Sequence, residues 1–480
     1  MRCRTRPPGD PVIYALLRLF FRFVLAIFYR EIAVTGVVDP GGPLVLVANH
    51  PNTLMDPLLI ASRLERRVHI IAKSTLFETP LAGLLLSSLG VLPVKRRMDS
   101  GEDPGGSNED TFSACYEELA RGGVILIFGE GTSHLEPRLM KLKTGAARIA
   151  LGAERVHGPL GVRLVPVGLT YEAPELFGED VRIRFSDPLP VLPFRERAED
   201  EFAAARALTD LAESCLVDEV VHLDDPEHED LLVTIDGWIG QELVTEERHR
   251  LDVTRELGRA LNWFHRREPE RVERFSRLLR EYHAALGEQG VDDAVLEATP
   301  EISPGRRVRL ALAAPIWLYG AVNHFVPYLL PRLIAGGLGL DPTYTSTVKL
   351  VSGILSFSLC NILQIALVWW GFGQTAALIY FATLPASGML TLLIEEEYGE
   401  LRRRKRLAAA RERLGPEVRE TLSKRRAALM DELKQAMNEY LAAGSEEPAP
   451  PDSTPDSTTG STTGAPAEPE KNPAEPERAD

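Results

Sequence analysis

At 480 residues, 44% apolar and 26% charged, the chain has the composition of a folded protein with room for two or three domains, not of a disordered one. Its formal net charge of −15 excludes broad nucleic-acid binding, although nine acidic and two basic residues in the tail 445–480 supply −7 of it and leave the remainder only mildly acidic. Four cysteines, Cys3, Cys115, Cys215 and Cys360, lie far apart without a CxxC pair, which argues against a disulfide framework or a zinc site and for a reducing compartment.

The opening stretch MRCRTRPPGDPVIYALLRLFFRFVLAIFYREI sets basic residues before an apolar run, as a signal peptide does, but Arg18 and Arg22 interrupt the run and no small-x-small cleavage site follows it. The two arginines share one helical face, with Leu, Phe and Ile on the others. Over 1–34 this suits a helix lying in a membrane interface; a buried amphipathic helix satisfies the same pattern. From 35 to 195, short β-branched or Leu-rich runs at 44–47, 68–71, 124–128, 164–167 and 181–185 alternate with helix-like segments. These runs are continuous rather than alternating. The expected fold is therefore α/β, with a mostly parallel central sheet covered on both faces.

Residues 196–305 are charged and helix-rich and predict a helical accessory region, to which no chemistry can be assigned. Beyond Arg306-Arg307-Val308-Arg309 the composition turns apolar. Pro315, Asn323, His324, Pro327 and Pro331 disturb the stretch 311–334, so 306–347 is expected to be re-entrant or interfacial rather than a full crossing. The stretches 351–370 and 375–394 carry no charged side chain and are separated by Gly371-Phe372-Gly373-Gln374, which predicts a transmembrane hairpin over 348–396. Two core helices of a large soluble protein are the competing explanation. Lys349 before the hairpin and Arg402-Arg403-Arg404-Lys405-Arg406 after it place both flanks in the cytoplasm, at a bacterial inner membrane or an endoplasmic reticulum. A charged helix is expected over 397–444, and the Pro/Ser/Thr/Glu tail 445–480 is expected to be disordered.

Chemistry concentrates in three loops of the α/β region. In Val47-Ala48-Asn49-His50-Pro51-Asn52-Thr53-Leu54-Met55-Asp56, Pro51 keeps His50 out of helical geometry, and Asn52 or Thr53 can cap a helix that carries Asp56. On one helix the two side chains would not share a face, so they meet only if His50 stands outside the helix and folds back over its first turn. The carboxylate would then fix one imidazole tautomer and leave the other nitrogen to take a proton from a hydroxyl; a structural hydrogen bond explains the pattern equally. Gly90-Val91-Leu92-Pro93-Val94-Lys95-Arg96-Arg97 gathers three cations after a turn, as a phosphate site requires and as a solvated basic loop also shows. The run 124–128 delivers Gly129-Glu130-Gly131-Thr132-Ser133-His134 at its C-terminal end, the edge where open α/β sheets bind ligands. The glycines there would let a backbone approach a ligand, and Glu130 would offer an acceptor; a plain turn is the alternative.

With these loops the chain resembles the phospholipid/glycerol acyltransferase family, which carries an Asn-His box with a downstream Asp, a Gly…Pro-Val-x-Arg box, a Phe-Pro-Glu-Gly-Thr-Ser box and a Val-Pro-Val strand in that order. The matching residues are Asn49, His50 and Asp56; Gly90, Pro93, Val94 and Arg96; Phe128, Glu130, Gly131, Thr132 and Ser133; and Val165, Pro166 and Val167. The stretch 133–147, with the longer HPNxxxD spacing, further resembles the fungal-type glycerol-3-phosphate/dihydroxyacetone-phosphate acyltransferase branch and its bacterial relatives. Gly129 departs from the family's proline, which should loosen the loop presenting Glu130.

The resemblance implies a membrane-bound O-acyltransferase of phospholipid biosynthesis. It would move an acyl group from acyl-CoA or acyl carrier protein to glycerol 3-phosphate, dihydroxyacetone phosphate or 1-acyl-glycerol-3-phosphate. His50 would be the general base and Asp56 its orienting partner. Asn49, Lys95, Arg96, Arg97, Glu130, Gly131, Thr132 and Ser133 would bind substrate, with Arg96 and its neighbours, or more distantly Lys73, on the phosphate. No metal or cofactor is expected; HExxH is absent, and so is the Gly-x-Ser-x-Gly of a serine hydrolase. A lysophospholipid-remodelling enzyme and a catalytically silent membrane scaffold are the competing readings.

Overall fold

The computed structural model describes residues 11–77, 86, 90–94, 107–197, 200–240, 243, 249–297 and 303–446. Lys95, Arg96 and Arg97 and the expected disordered tail beyond 446 lie outside them. The strands are β1 (Glu31–Thr35), β2 (Leu44–Ala48), β3 (Val68–Lys73), β4 (Leu92–Val94), β5 (Val124–Phe128), β6 (Arg163–Tyr171), β7 (Asp180–Phe185) and β8 (Leu189–Pro190). They form one sheet in the order β1-β7-β6-β2-β5-β3-β4, with β8 paired to β6 off that path. The β2–β5, β2–β6, β3–β5, β3–β4 and β1–β7 pairs are parallel, and β6–β7 and β6–β8 are antiparallel.

All five residues of β2 are buried, because helices cover both faces of the sheet. On one side Cys115, Leu119, Ile149 and Leu208 pack from helices Ser107–Ala120, Gly145–His157 and Glu201–Glu219. On the other, Leu25, Met55, Leu59 and Ile60 pack from helices Pro11–Phe28 and Met55–Arg63. The five expected strands are all present. Three short ones, β1, β4 and β8, lacked a long apolar run and were not anticipated; β1 extends the sheet to Glu31, four residues before the expected boundary at 35.

Register decides where the loops meet. Ala48 of β2 stands opposite Phe128 of β5 and Val167 of β6. The turns holding His50 and Glu130 therefore leave the sheet side by side, while β6 runs on to Tyr171 beside them. The accessory region buttresses one of these turns: His222 Nδ1 accepts from the Leu139 N–H (3.0 Å), Glu213 accepts from the Leu142 N–H (2.8 Å), and the Leu223 N–H donates to Pro137 O (2.8 Å).

The segment expected to be broken by prolines is one continuous helix, Pro304–Gly337. Pro327 removes the N–H that would bond Asn323 O, and Gln364 Nε2 donates to that carbonyl instead (2.8 Å). Pro331 frees Pro327 O in the same way, and Ser356 Oγ donates to it (3.0 Å). Side chains of the following helix thus satisfy carbonyls that the prolines expose, which lets an apolar helix tolerate them. That following helix, Thr345–Arg413, turns at Gly373 (φ 84°, ψ 175°), inside the expected Gly371–Gln374 break. Two segments, Pro304–Gly337 and Pro342–Arg413, are long and apolar enough to cross a membrane. Their outward side chains, among them Leu359, Ile362, Trp370 and Phe372, are exposed.

The chain falls into two compact units, Met1–Lys434 and Gln435–Asp480. Of the second, residues 435–446 are described and helical, with Gln435 Nε2 donating to Glu439 (2.9 Å).

Candidate active site

His50 follows β2 directly, outside the helix Met55–Arg63, and folds back over its first turn: Nδ1 lies 2.8 Å from Asp56 Oδ2. Asp56 is wholly buried and accepts two further hydrogen bonds, from the Asn52 N–H (2.8 Å) and the Tyr171 hydroxyl (2.5 Å). Burial, and then the Asp56 charge, push the Tyr171 hydroxyl well above the usual tyrosine range, so it remains a donor. A carboxylate only accepts, so Nδ1 of a neutral His50 carries the proton and Nε2 is the basic nitrogen. The imidazole stacks on Phe128, centroids 3.9 Å apart and planes 15° apart, which limits its rotation.

The Glu130 turn closes against this pair. Its Oε2 accepts from the His50 N–H (2.7 Å), and Oε1 accepts from the Met140 N–H (2.9 Å) and lies 2.8 Å from His134 Nε2. With no side-chain exposure, Glu130 clamps the backbone of His50. Its hydrogen bond holds the His134 imidazole above its ordinary pKa. Asn49 is likewise a sheet residue: Nδ2 donates to Leu169 O (2.9 Å) and Oδ1 accepts from the Leu169 N–H (2.8 Å), a side chain imitating a strand pairing. Gly129 has its own reason for not being proline, since its N–H donates to Ala48 O (3.0 Å) and a Cβ there would lie 2.8 Å from Leu142 Cδ2.

A cavity of about 880 Å³ opens at His50. Its lining includes the apolar side chains of Leu17 and Phe21 of the N-terminal helix, Leu58, Ile70 and Ile149. Gly131, Thr132, Ser133, Lys73 and Lys143 line the same cavity. Sequence reasoning assigned Lys143 no role. Gly131 (φ 73°) brings it in, for a Cβ at that position would lie only 2.4 Å from Lys143 Nζ. The Lys-x-Lys-Thr-Gly run at 141–145 was the available signal. Among the described residues one group, Glu31, Asp180 and His249, has the spacing of a metal site. Both Asp180 oxygens are taken by Arg30 (2.9 and 2.8 Å), and His249 Nδ1 accepts from the Leu251 N–H (3.1 Å), so an ion-pair network accounts for it.

Residues 31–170 match the family model Acyltransferase. An uncharacterized acyltransferase of Schizosaccharomyces pombe is 24% identical over 264 residues, 37% of this chain and 39% of that protein. Glycerol-3-phosphate O-acyltransferase 1 of Saccharomyces cerevisiae is 36% identical over 80 residues, 17% of this chain and 10% of that one. The chloroplastic 1-acyl-sn-glycerol-3-phosphate acyltransferase LPAT1 of Arabidopsis thaliana is 33% identical over 127 residues, 26% and 32% of the two chains. The chain thus spans well under half the length of each of these relatives.

Proposed function

We propose, from the match of residues 31–170 to the family model Acyltransferase, that the protein is a membrane-bound enzyme that acylates a hydroxyl of glycerol 3-phosphate, dihydroxyacetone phosphate or 1-acyl-glycerol-3-phosphate. The observation that carries this reading is an imidazole with Nδ1 held by a buried carboxylate, lining a largely apolar cavity that Lys73 and Lys143 also line. The acyl chain of a thioester, acyl-CoA or acyl carrier protein, occupies the apolar part. The acceptor hydroxyl attacks the thioester carbonyl as His50 Nε2 takes its proton; the C–S bond then breaks and the thiolate leaves with a proton. Asp56 stabilises the imidazolium. Lys143, with Lys73, attracts the acceptor's phosphate, as Lys95, Arg96 and Arg97 are also proposed to do. Thr132 and Ser133, which line the same cavity, are proposed to contact the substrate. The hairpin roots this domain at the cytoplasmic face, where soluble donors arrive and a lipid product can leave into the bilayer.

The test supplies purified, detergent-solubilised protein with palmitoyl-CoA and each acceptor separately, His50→Ala serving as control, with products identified by mass spectrometry. Lysophosphatidic acid from glycerol 3-phosphate makes it a first-step enzyme, and phosphatidic acid formed only from lysophosphatidic acid a second-step one. Loss of general-base catalysis should cost His50→Ala about 10²–10⁴-fold. The absence of a His50-dependent product, with CoA and carrier-protein donors both tried, would refute the reading.

A further inference from the structure

Thr53 is the non-glycine residue with positive φ (34°) among the described residues, and it lies between His50 and Asp56. For a β-branched side chain this backbone is strained, and it persists only where its surroundings hold it. What holds it is the root of the apolar hairpin. Thr53 Oγ1 donates to Thr343 O (3.1 Å) and lies 2.7 Å from Thr347 Oγ1. A second tie runs alongside: Pro174 O accepts from Asn52 Nδ2 (2.7 Å) and from Ser346 Oγ, while Lys349 Nζ donates to Glu175 O (2.6 Å). The N–H of Asn52, next to Thr53, donates to Asp56 Oδ2, the same oxygen that His50 Nδ1 meets.

We infer that Thr53 is a positioning residue, latched by Thr347, through which the seated hairpin holds the His50–Asp56 pair in its working geometry. Releasing the latch lets the turn relax and swings the Asn52 N–H away from Asp56. The inference rests on the acyltransferase reading only for its kinetic readout.

The experiment compares full-length wild type, Thr347→Val and Thr347→Ser in lipid nanodiscs, by steady-state kinetics and by hydrogen exchange over residues 50–56. Valine keeps the shape and removes the hydroxyl, whereas serine keeps the hydroxyl. Thr347→Val should exchange about tenfold faster over 50–56 and lose about ten- to a hundredfold in kcat with KM for the acyl donor little changed. Thr347→Ser should restore both. Thr53→Val, which also removes the hydrogen bond to Thr343 O, should be at least as severe as Thr347→Val, and the double variant should be no worse than Thr53→Val, because Thr347 acts on the turn through the Thr53 hydroxyl. Unchanged exchange over 50–56 in Thr347→Val overturns the latch. If the wild type acylates no acceptor while Thr347→Val still loosens 50–56, the acyltransferase reading fails and the latch stands.

Discussion

Asp56 gathers three donors in a site without solvent, and the third, Tyr171, comes from a strand far along the chain. Tyr171→Phe keeps the ring and deletes the donor, leaving Oδ1 of a buried carboxylate without it. That should destabilise the fold by about 1–3 kcal/mol and lower kcat about tenfold, read from paired thermal unfolding and turnover; unchanged values of both would show that Tyr171 does not support Asp56. His134 supplies a pH-dependent counterpart. Its folded pKa is raised by Glu130, so its stabilising contribution is complete below the unfolded value of about 6.5 and is lost as pH rises through the folded one. The difference in melting temperature between wild type and His134→Gln should therefore be largest near about pH 6 and shrink toward about pH 9. A gap that is flat or widens with pH contradicts that assignment.

Among the elements, the helix Pro304–Gly337 shows how local sequence can mislead. Its three prolines read as interruptions, yet two of the carbonyls they expose are satisfied from the neighbouring helix. Gln364→Leu withdraws one of those donors and should cost about 0.6–2 kcal/mol of helix association in a bilayer, measurable by unfolding in mixed micelles. Gln364→Asn, too short to reach, should resemble leucine; an undiminished stability in both would mean that Asn323 O finds another donor. The accessory region supports the site from its own elements: His222 and Glu213 take backbone N–H groups of the loop that follows Glu130, and so help keep the clamp on His50 closed.

At the scale of the whole molecule, large apolar side chains are exposed both on the N-terminal helix (Val12, Leu16, Leu19, Phe23) and on the hairpin (Leu359, Trp369, Phe372), more than a water-facing surface ordinarily carries. The proposed membrane attachment through these side chains would be hydrophobic and not screened by ions. The full chain in isolated membranes should therefore stay in the pellet after a wash in about 1 M salt, where the Debye length is about 3 Å, and leave it only with detergent. Release by salt alone would place the chain at the membrane surface without insertion.

Sequence by itself determined the parallel α/β core, since strands buried on both faces need continuous apolar runs, and those at 44–47, 124–128 and 164–167 cannot be mistaken for half-exposed ones. It also determined the His50–Asp56 pairing, because Pro51 forces the histidine out of the helix. The Gly373 turn between two apolar arms was legible for the same local reason. Only tertiary structure decided that Glu130 and Asn49 are spent on backbone groups, that Tyr171 and Lys143 reach the site, and that Thr53 is tied to the hairpin. Each of those depends on which strand ends lie side by side and on which carbonyl or amide lacks a partner, and neither is encoded by residue type at a single position.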